Sequence, residues 1–143
     1  MDKQDFLLLV VSKFGKSGIT PVQLQKSVFL IQKHFPKLLK KKYKFIPYNY
    51  GPFDITVYED TEKLVDKGLL EKRFHSNKGW SELYVTEKGK KKASEIEKNT
   101  EKGVSSYVAK LVEWMSGLSF EELVSSIYKQ YPKYKTNSIF RDS

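Results

Sequence analysis

The amino-acid sequence predicts a mainly α-helical protein with one small β-hairpin. Apolar residues recur at helical spacing on both sides of the middle of the chain. Two short strand-like segments flank an Asn-Lys-Gly turn, and residues that cap helices stand where the apolar patterns begin. The chain has 143 residues, a length that fits a single domain.

Composition excludes several classes of site. The sequence has no cysteine, so neither disulfides nor thiolate metal sites can form, and we predict no cofactor. The apolar run at residues 6–11 is far shorter than the about 20 apolar residues of a membrane helix. Acidic residues precede that run, which is unlike a signal peptide. We therefore expect a soluble, cytoplasmic protein with no membrane partner.

The first two helices are predicted from apolar patterning and from a capping pair. Residues 6–11, "FLLLVV", are apolar on every side, so the first helix should be largely buried. Thr20 and Pro21 are typical of a helix start, because a threonine hydroxyl caps the helix and proline fits its first turn. The next helix has apolar residues at helical spacing, at Leu24, Val28, Ile31 and Phe35.

The segment "YNYGPFD", residues 48–54, predicts an extended piece with a rigid turn before a third helix. Gly51 lets the backbone turn, Pro52 fixes it, and Asp54 can cap a helix over residues 55–67. Gly68 supplies a left-handed stop. The aromatic side chains of the segment are predicted to pack against the second helix.

The second half of the chain predicts a hairpin followed by three more helices. "LLEKRFHS" and "WSELYVT" alternate like strands around the turn, and Phe74 and Trp80 are expected in the core. Thr86 caps a lysine-rich helix, Thr100 starts the next helix, and Ser119 with Glu122 forms a capping box for the last one. The last two helices carry apolar stripes that either close the core or pair between two chains as a homodimer.

The order of these elements is that of a winged helix-turn-helix with two additional C-terminal helices. A helix followed by a hairpin and a further helix is the arrangement of a recognition helix and its wing. We predict a single winged-helix-like domain over residues 1–143, with a winged-helix core at 1–99, a C-terminal helical pair at 100–131 and a tail at 132–143.

Two resemblances to known families agree with this fold. "LVDKGLLEKR" and "LYVTEKGKK" resemble the wing region of MarR- and PadR-type regulators. Residues 24–70 resemble small prokaryotic proteins of the YwgA kind and the SocA-like antitoxin domain, also called Panacea. The resemblance implies a winged-helix-like module used in antitoxins, mobile-element genes or regulators, in a prokaryotic regulatory, toxin–antitoxin or phage-defence setting. The matching positions are Leu24, Gln25, Lys26, Tyr50, Gly51, Pro52, Gly68 and Leu69.

Catalytic residue types are scarce in the sequence. The only histidines are His34 and His75, and the sequence contains neither a "GxSxG" elbow nor a phosphate-binding loop. We therefore predict no enzyme activity. Glu59, Glu62 and Asp66 share one helical stripe, which is typical of a solvated face. A metal-dependent nuclease that uses these three carboxylates is kept as an alternative behind the two binding functions given below.

Charge is unevenly distributed in a chain of net charge +9. Residues 37–44 hold five lysines and no acid, and residues 71–92 hold seven bases and three acids. The third helix is the opposite, since residues 54–66 hold five acids and one lysine. An acidic helix in the position of a recognition helix would face DNA phosphates with like charge.

Two functions follow from this charge pattern, and solvation of a lysine-rich surface is the alternative to both. The leading prediction is a regulator that binds nucleic acid, as double-stranded DNA, through lysines and an arginine that track phosphates. The alternative is a protein-interaction module that docks a partner through its acidic helix. The predicted nucleic-acid contacts are Lys40, Lys41, Lys42, Lys72, Arg73, Lys78, Lys90 and Lys91. The predicted partner contacts are Asp54, Glu59, Glu62 and Asp66.

Overall fold

The computed structural model describes residues 1–75, 77 and 80–140 of the chain. It is mainly helical, with two small antiparallel sheets of two strands each in the described part. The helices are α1 (Lys3–Phe14), α2 (Pro21–His34), α3 (Ile55–Asp66), α4 (Glu87–Lys98), α5 (Lys102–Ser116) and α6 (Phe120–Gln130). The strands are β1 (Ile46–Tyr48), β2 (Gly51–Phe53), β3 (Leu70–His75) and β4 (Trp80–Val85).

Helix α1 is the centre of the core, as its apolar sequence predicts. All six residues from 6 to 11 are completely buried. The helix contacts α2, α3, α4, α5 and β4, so it is covered on every side. This burial explains why its sequence carries no polar stripe over those positions.

Helix α2 begins where its capping pair predicts. The Thr20 hydroxyl accepts a hydrogen bond from the Gln23 N–H, and the Gln23 side chain accepts one from the Thr20 N–H, which completes a capping box. Just before the helix, Ile19 exchanges two backbone hydrogen bonds with Leu83 of β4, at 2.9 and 3.0 Å. The chain between α1 and α2 is thereby joined to the β3–β4 hairpin.

The extended piece between α2 and α3 is itself a hairpin, which the sequence analysis did not predict. Strands β1 and β2 pair so that Pro47 lies opposite Pro52 and Tyr48 lies opposite Gly51. A two-stranded ribbon tolerates both prolines, because each strand has a free edge on which no N–H is needed. Gly51 has a φ angle of 114°, a conformation that other residues rarely adopt.

The predicted hairpin β3–β4 is confirmed, but the expected burial of its aromatic residues is wrong. Phe74 is 66% exposed and Trp80 is 45% exposed. Both lie at the end of the ribbon, where His75 pairs with Trp80. The buried residues of the ribbon, among them Leu70, Leu83 and Tyr84, lie toward its base, whereas Phe74 and Trp80 lie nearer its other end.

The two C-terminal helices close the core of this one chain. Their buried residues are Val104, Val108, Leu111 and Met115 of α5, and Leu123, Val124, Ile127 and Tyr128 of α6. Ser119 and Glu122 form the predicted capping box, but α5 starts after Glu101 and not at Thr100. The Thr100 hydroxyl instead donates to the Ile96 carbonyl at the end of α4.

The segment after α6, predicted as a tail, packs against the core. A short 3-10 helix spans Pro132–Lys135. Within it, Tyr134 is 5% exposed and its ring lies 4.9 Å from that of Phe29. Further on, the Ile139 N–H donates to the Asn49 carbonyl of the β1–β2 connection. In the described part of the chain, no helix is long and apolar enough to cross a membrane.

Candidate binding surface around the Gly-Pro turn

Helix α2 holds the segment from residue 43 to 54 through two glutamine side chains. The Gln25 amide donates to the Asp54 carbonyl and accepts from the Asp54 N–H, both at 3.0 Å. Gln32 makes the same pair of bonds to the Tyr43 backbone, at 2.9 and 2.8 Å. The two glutamines are two helical turns apart, so they lie on one face of α2. That face therefore fixes both ends of the segment.

Lys26 holds the turn itself from beneath. Its side chain is 2% exposed, and its Nζ donates to the Tyr50 carbonyl oxygen at 2.5 Å. Burial lowers the Lys26 pKa from 10.5 to about 7. No carboxylate of the described residues lies within ion-pair distance of this group. The "LQK" motif, known from the sequence only through a resemblance, is thus the part of α2 that contacts the turn.

Two of the three aromatic side chains of the segment, Tyr48 and Tyr50, are exposed, which corrects the expectation that they pack against α2. Tyr48 is 46% exposed and stacks on Phe53, with ring centroids 4.6 Å apart. Tyr50 is 36% exposed and packs edge-on against Phe120 of α6, at 5.0 Å. Phe53 is half-buried and lines a hollow together with Val22 of α2.

Two hollows lie on either side of Tyr58. The turn pocket, beside α2 and α3, has a volume of about 220 Å³, and its lining includes Val22, Lys26, Tyr48, Gly51, Phe53 and Tyr58. The hairpin pocket lies between α2, α3 and the β3–β4 hairpin. It has a volume of about 270 Å³, and its lining includes Pro21, Tyr58, Glu62, Lys72 and Leu83.

The predicted partner-binding acids fall into two groups. Asp54 is engaged in the fold, because it caps α3 through the Thr56 N–H and accepts from the Lys44 N–H. Glu59, Glu62 and Asp66 are exposed on one face of α3. Glu62 forms an ion pair with Lys72, while Glu59 and Asp66 have no side-chain partner among the residues that the structure describes.

This acidic stripe continues an exposed apolar surface. Ile55 is 55% exposed and stands one turn before Glu59 on the same helical face. Ile46 is also 55% exposed. It lies opposite Phe53 in the pairing of β1 with β2, and Phe53 precedes Ile55 by two residues. We call this surface the apolar–acidic face; its residues are Ile46, Tyr48, Ile55, Glu59, Glu62 and Asp66.

Asp60, the fifth acid of the helix region, is directed away from this face. Its carboxylate accepts a hydrogen bond from the Tyr43 hydroxyl at 2.7 Å. Burial, together with this carboxylate, raises the Tyr43 pKa. Asp60 therefore holds the lysine-rich loop in place and does not contribute to the exposed acidic surface.

Three of the predicted nucleic-acid contacts lie against acids of this chain. Lys72 pairs with Glu62 across α3 and β3. Arg73 contacts Glu71 at 3.2 Å, and its guanidinium lies 4.0 Å from the centre of the Tyr84 ring. Lys90 pairs with Glu87 at 3.0 Å. Each of these cations therefore has part of its charge balanced locally.

The remaining predicted contacts differ from one another in their placement. Lys40, Lys41 and Lys42 are exposed, and no ion pair joins them to an acid among residues 1–75, 77 and 80–140. Their loop is anchored by the buried side chains of Leu39 and Tyr43. Lys91 is exposed on α4. The predicted contact at position 78 (Lys78) lies outside the described residues.

The residues considered for metal binding do not assemble. Within residues 1–75, 77 and 80–140, no group of three or more histidine, aspartate or glutamate side chains could hold a metal ion. His34, at the end of α2, stacks on Tyr107 with ring centroids 4.2 Å apart. His75, at the end of β3, lies 3.7 Å from Glu82.

A larger open cleft of about 770 Å³ lies at the opposite end of α2 and is lined by residues of α1, α4 and α5. Its charged lining is mixed, with Lys37, Lys92, Asp5, Glu95 and Glu101. A hollow lined by both signs of charge shows no preference for a polyanion.

Comparison of the chain with protein-family models, with curated proteins and with solved structures finds no match.

Proposed function

We propose that this protein is a non-enzymatic binding module that docks a basic protein partner through its apolar–acidic face. The single observation that carries the proposal is that the exposed Ile55 lies on the same face of α3 as the exposed acids Glu59 and Asp66. Exposed apolar patches rimmed by polar residues mark interaction sites. Glu59 and Asp66 give this one a negative edge in a protein of net charge +9.

The proposed scaffold is a winged helix. The order of α1, Ile19, α2, α3 and the β3–β4 hairpin supports it, because the Ile19–Leu83 pairing adds a third strand position beside the hairpin. In such a scaffold α3 holds the place of the recognition helix. The resemblance to the SocA-like antitoxin domain supports the use of this scaffold for binding a protein.

Charge complementarity selects a basic partner over DNA for this face. Two carboxylates opposite phosphates at about 4–8 Å would each cost on the order of 1 kcal/mol or more near a surface. The same carboxylates attract lysine and arginine side chains, and the rim of an interface is polar and solvent-accessible, so charged pairs fit there. Ile55 and Tyr48 supply the apolar anchors that such an interface needs at its centre.

A selection from a random peptide library displayed on phage tests this proposal. We expect the wild type to enrich peptides that combine an aromatic or aliphatic anchor with lysine or arginine. The double variant Glu59→Lys and Asp66→Lys should lose this enrichment. Glu62 is left unchanged because it pairs with Lys72.

A matched control uses two exposed acids elsewhere. The double variant Glu95→Lys and Glu113→Lys makes the same change of charge on α4 and α5 and should enrich the same peptides as the wild type. If the wild type does not enrich basic peptides, docking through the apolar–acidic face is wrong. It is also wrong if the two double variants lose the enrichment equally.

Nucleic-acid binding is the second candidate, and a separate observation favours it. Lys40, Lys41 and Lys42 are exposed on a loop that Gln32 and Asp60 hold in place. A fixed cluster of cations suits a phosphate backbone without sequence readout. This surface is distinct from the apolar–acidic face, so the two candidates separate experimentally.

A further inference from the structure

The turn pocket contains a buried cation without a counter-ion in the described residues. Lys26 is 2% exposed. An ammonium group has three N–H donors, and one of them is taken by the Tyr50 carbonyl. A buried charge is ordinarily paired, because isolation in a medium of low polarity is costly.

The titratable groups around Lys26 do not supply the missing charge. Asp54 of the adjoining turn is already held by Thr56 and Lys44. The other titratable neighbours are the phenols of Tyr48, Tyr50 and Tyr58 in the pocket and that of Tyr128 of α6, which lies on the same side of Gly51 as Lys26. Phenols in water titrate near pH 10, and burial raises the Tyr58 pKa further.

Lys26 forms part of the wall of this hollow, beside Tyr50 and Gly51 of the turn. Its Nζ lies 2.5 Å from the Tyr50 carbonyl oxygen, and therefore at the turn side of that wall. The other walls are mostly carbon, from Val22, Phe53 and Tyr58. Apolar walls with a few placed polar groups are the usual construction of a small-molecule site.

We propose that the turn pocket binds the carboxylate of an apolar molecule or chain end, with Lys26 as its counter-ion. One ammonium group balances the single charge of a carboxylate, whereas a phosphate monoester carries a charge of about −1.5 to −2 at pH 7. The aromatic walls then cover the apolar body of the ligand. This inference does not rest on the protein-docking proposal, since the acids of α3 take no part in it.

The proposal gives binding a distinctive pH dependence. A carboxylate requires Lys26 in its protonated form, and burial leaves this group about half neutral near pH 7. Apparent affinity should be full below pH 7 and fall by about tenfold for each pH unit well above it. A site that binds the apolar body alone would show no such dependence.

The experiment is a titration of the protein with phenylacetate, followed by the backbone amide NMR signals of Tyr50 and Gly51. Phenylacetamide, which has the same shape and no charge, is the matched ligand control. We expect phenylacetate to shift these signals at millimolar concentration and phenylacetamide to leave them unchanged. Affinity should be at least about tenfold weaker at about pH 8.5 than at about pH 6.

Lys26→Met is the matched protein control, because methionine keeps an unbranched apolar side chain and adds no buried charge. It should fold and should lose at least about tenfold in phenylacetate affinity. The proposal fails if phenylacetate causes no shift, if both ligands bind equally, or if the variant binds as the wild type does.

Peptides that end in phenylalanine separate the two sources of carboxylate. If a tetrapeptide with a free C-terminus binds at least tenfold more tightly than phenylacetate, the natural ligand is a chain end. If it binds more weakly, the ligand is a free acid. In either case the amidated tetrapeptide should not bind, and binding of the amidated form with equal affinity would overturn the proposal.

Discussion

The side-chain amide of Gln25 pairs with both backbone polar groups of Asp54, at 3.0 Å each. A side chain of α2 thus makes the two backbone hydrogen bonds that a neighbouring strand would otherwise make with this extended segment. Because Gln25 is 3% exposed, water cannot readily replace these bonds. The relationship places Asp54 at the start of α3, and so it fixes the position of the apolar–acidic face relative to the core.

Gln25→Ala should therefore destabilise the fold strongly. Leaving a buried N–H and a buried C=O without partners costs about 1–3 kcal/mol for each group. The measurement is urea denaturation at equilibrium. Gln130→Ala, on the exposed end of α6, is the control and should change stability by less than about 0.5 kcal/mol. Equal effects of the two substitutions would show that the Gln25 bonds contribute little.

Gly51→Ala tests the conformation of the turn. With a φ angle of 114°, alanine is strained there, and its Cβ would also lie 3.4 Å from the Tyr128 ring. The expected loss of stability is about 1–3 kcal/mol. Gly103→Ala near the start of α5, where a Cβ meets nothing within 4 Å, should be neutral or stabilise by up to about 1 kcal/mol. Thermal unfolding of both variants gives the comparison, and a Gly51→Ala protein as stable as wild type contradicts it.

Because of Lys26, the free energy of unfolding should increase as the pH rises above about 7. Its pKa is about 7 in the folded protein and 10.5 when exposed, so the unfolded chain binds more protons between these values. Stability therefore rises with pH across this window, by at most about 1.4 kcal/mol for each pH unit. Below pH 7 Lys26 is protonated in both the folded and the unfolded chain. Its contribution to stability is therefore at its lowest there and does not change with pH.

The comparison with Lys26→Met isolates this effect from other titrating groups. The variant should be more stable than wild type near pH 7, and the difference should shrink as pH rises toward about 9. Denaturation curves at several pH values give both quantities. Parallel pH profiles for the two proteins would mean that Lys26 is not buried as a neutral or poorly paired amine.

The lysine-rich loop gives a prediction about nucleic acid. If Lys40, Lys41 and Lys42 contact phosphates, reversing all three to glutamate should abolish binding to a random-sequence duplex. The logarithm of the wild-type affinity should fall with that of salt concentration, with a slope of about −0.9 for each phosphate neutralised. Reversal of Lys72 and Arg73 should have a smaller effect, because these cations lie against Glu62 and Glu71. Fluorescence anisotropy measures all three proteins, and an unchanged slope in the triple variant rejects the loop as the contact.

Local patterns were sufficient to predict the turn and most of the caps, although Thr100 does not start a helix. Thr20 with Gln23 and Ser119 with Glu122 form their capping boxes, and Gly51 and Gly68 have the positive φ angles expected of them. These features depend on interactions within a few residues. The sequence alone can therefore specify them.

Features that depend on distant contacts could not be predicted in the same way. Lysine is rarely buried, and only the tertiary placement of the turn over α2 explains the burial of Lys26. The pairing of β1 with β2 brings two prolines opposite each other, which the sequence pattern does not favour. The ion pair of Glu62 with Lys72 joins α3 to β3, so the charge map along the chain overstated how many cations are unbalanced.

The measurement that tests the central claim most directly is a competition at one ionic strength. A labelled peptide selected from the library, with a lysine-rich flank and an apolar anchor, is titrated with wild type and with the double variant Glu59→Lys and Asp66→Lys. Docking through the apolar–acidic face predicts micromolar binding that the double variant loses and that unlabelled duplex DNA does not displace. If the DNA displaces the peptide, or if the variant binds it as tightly as wild type, the face does not dock a basic partner.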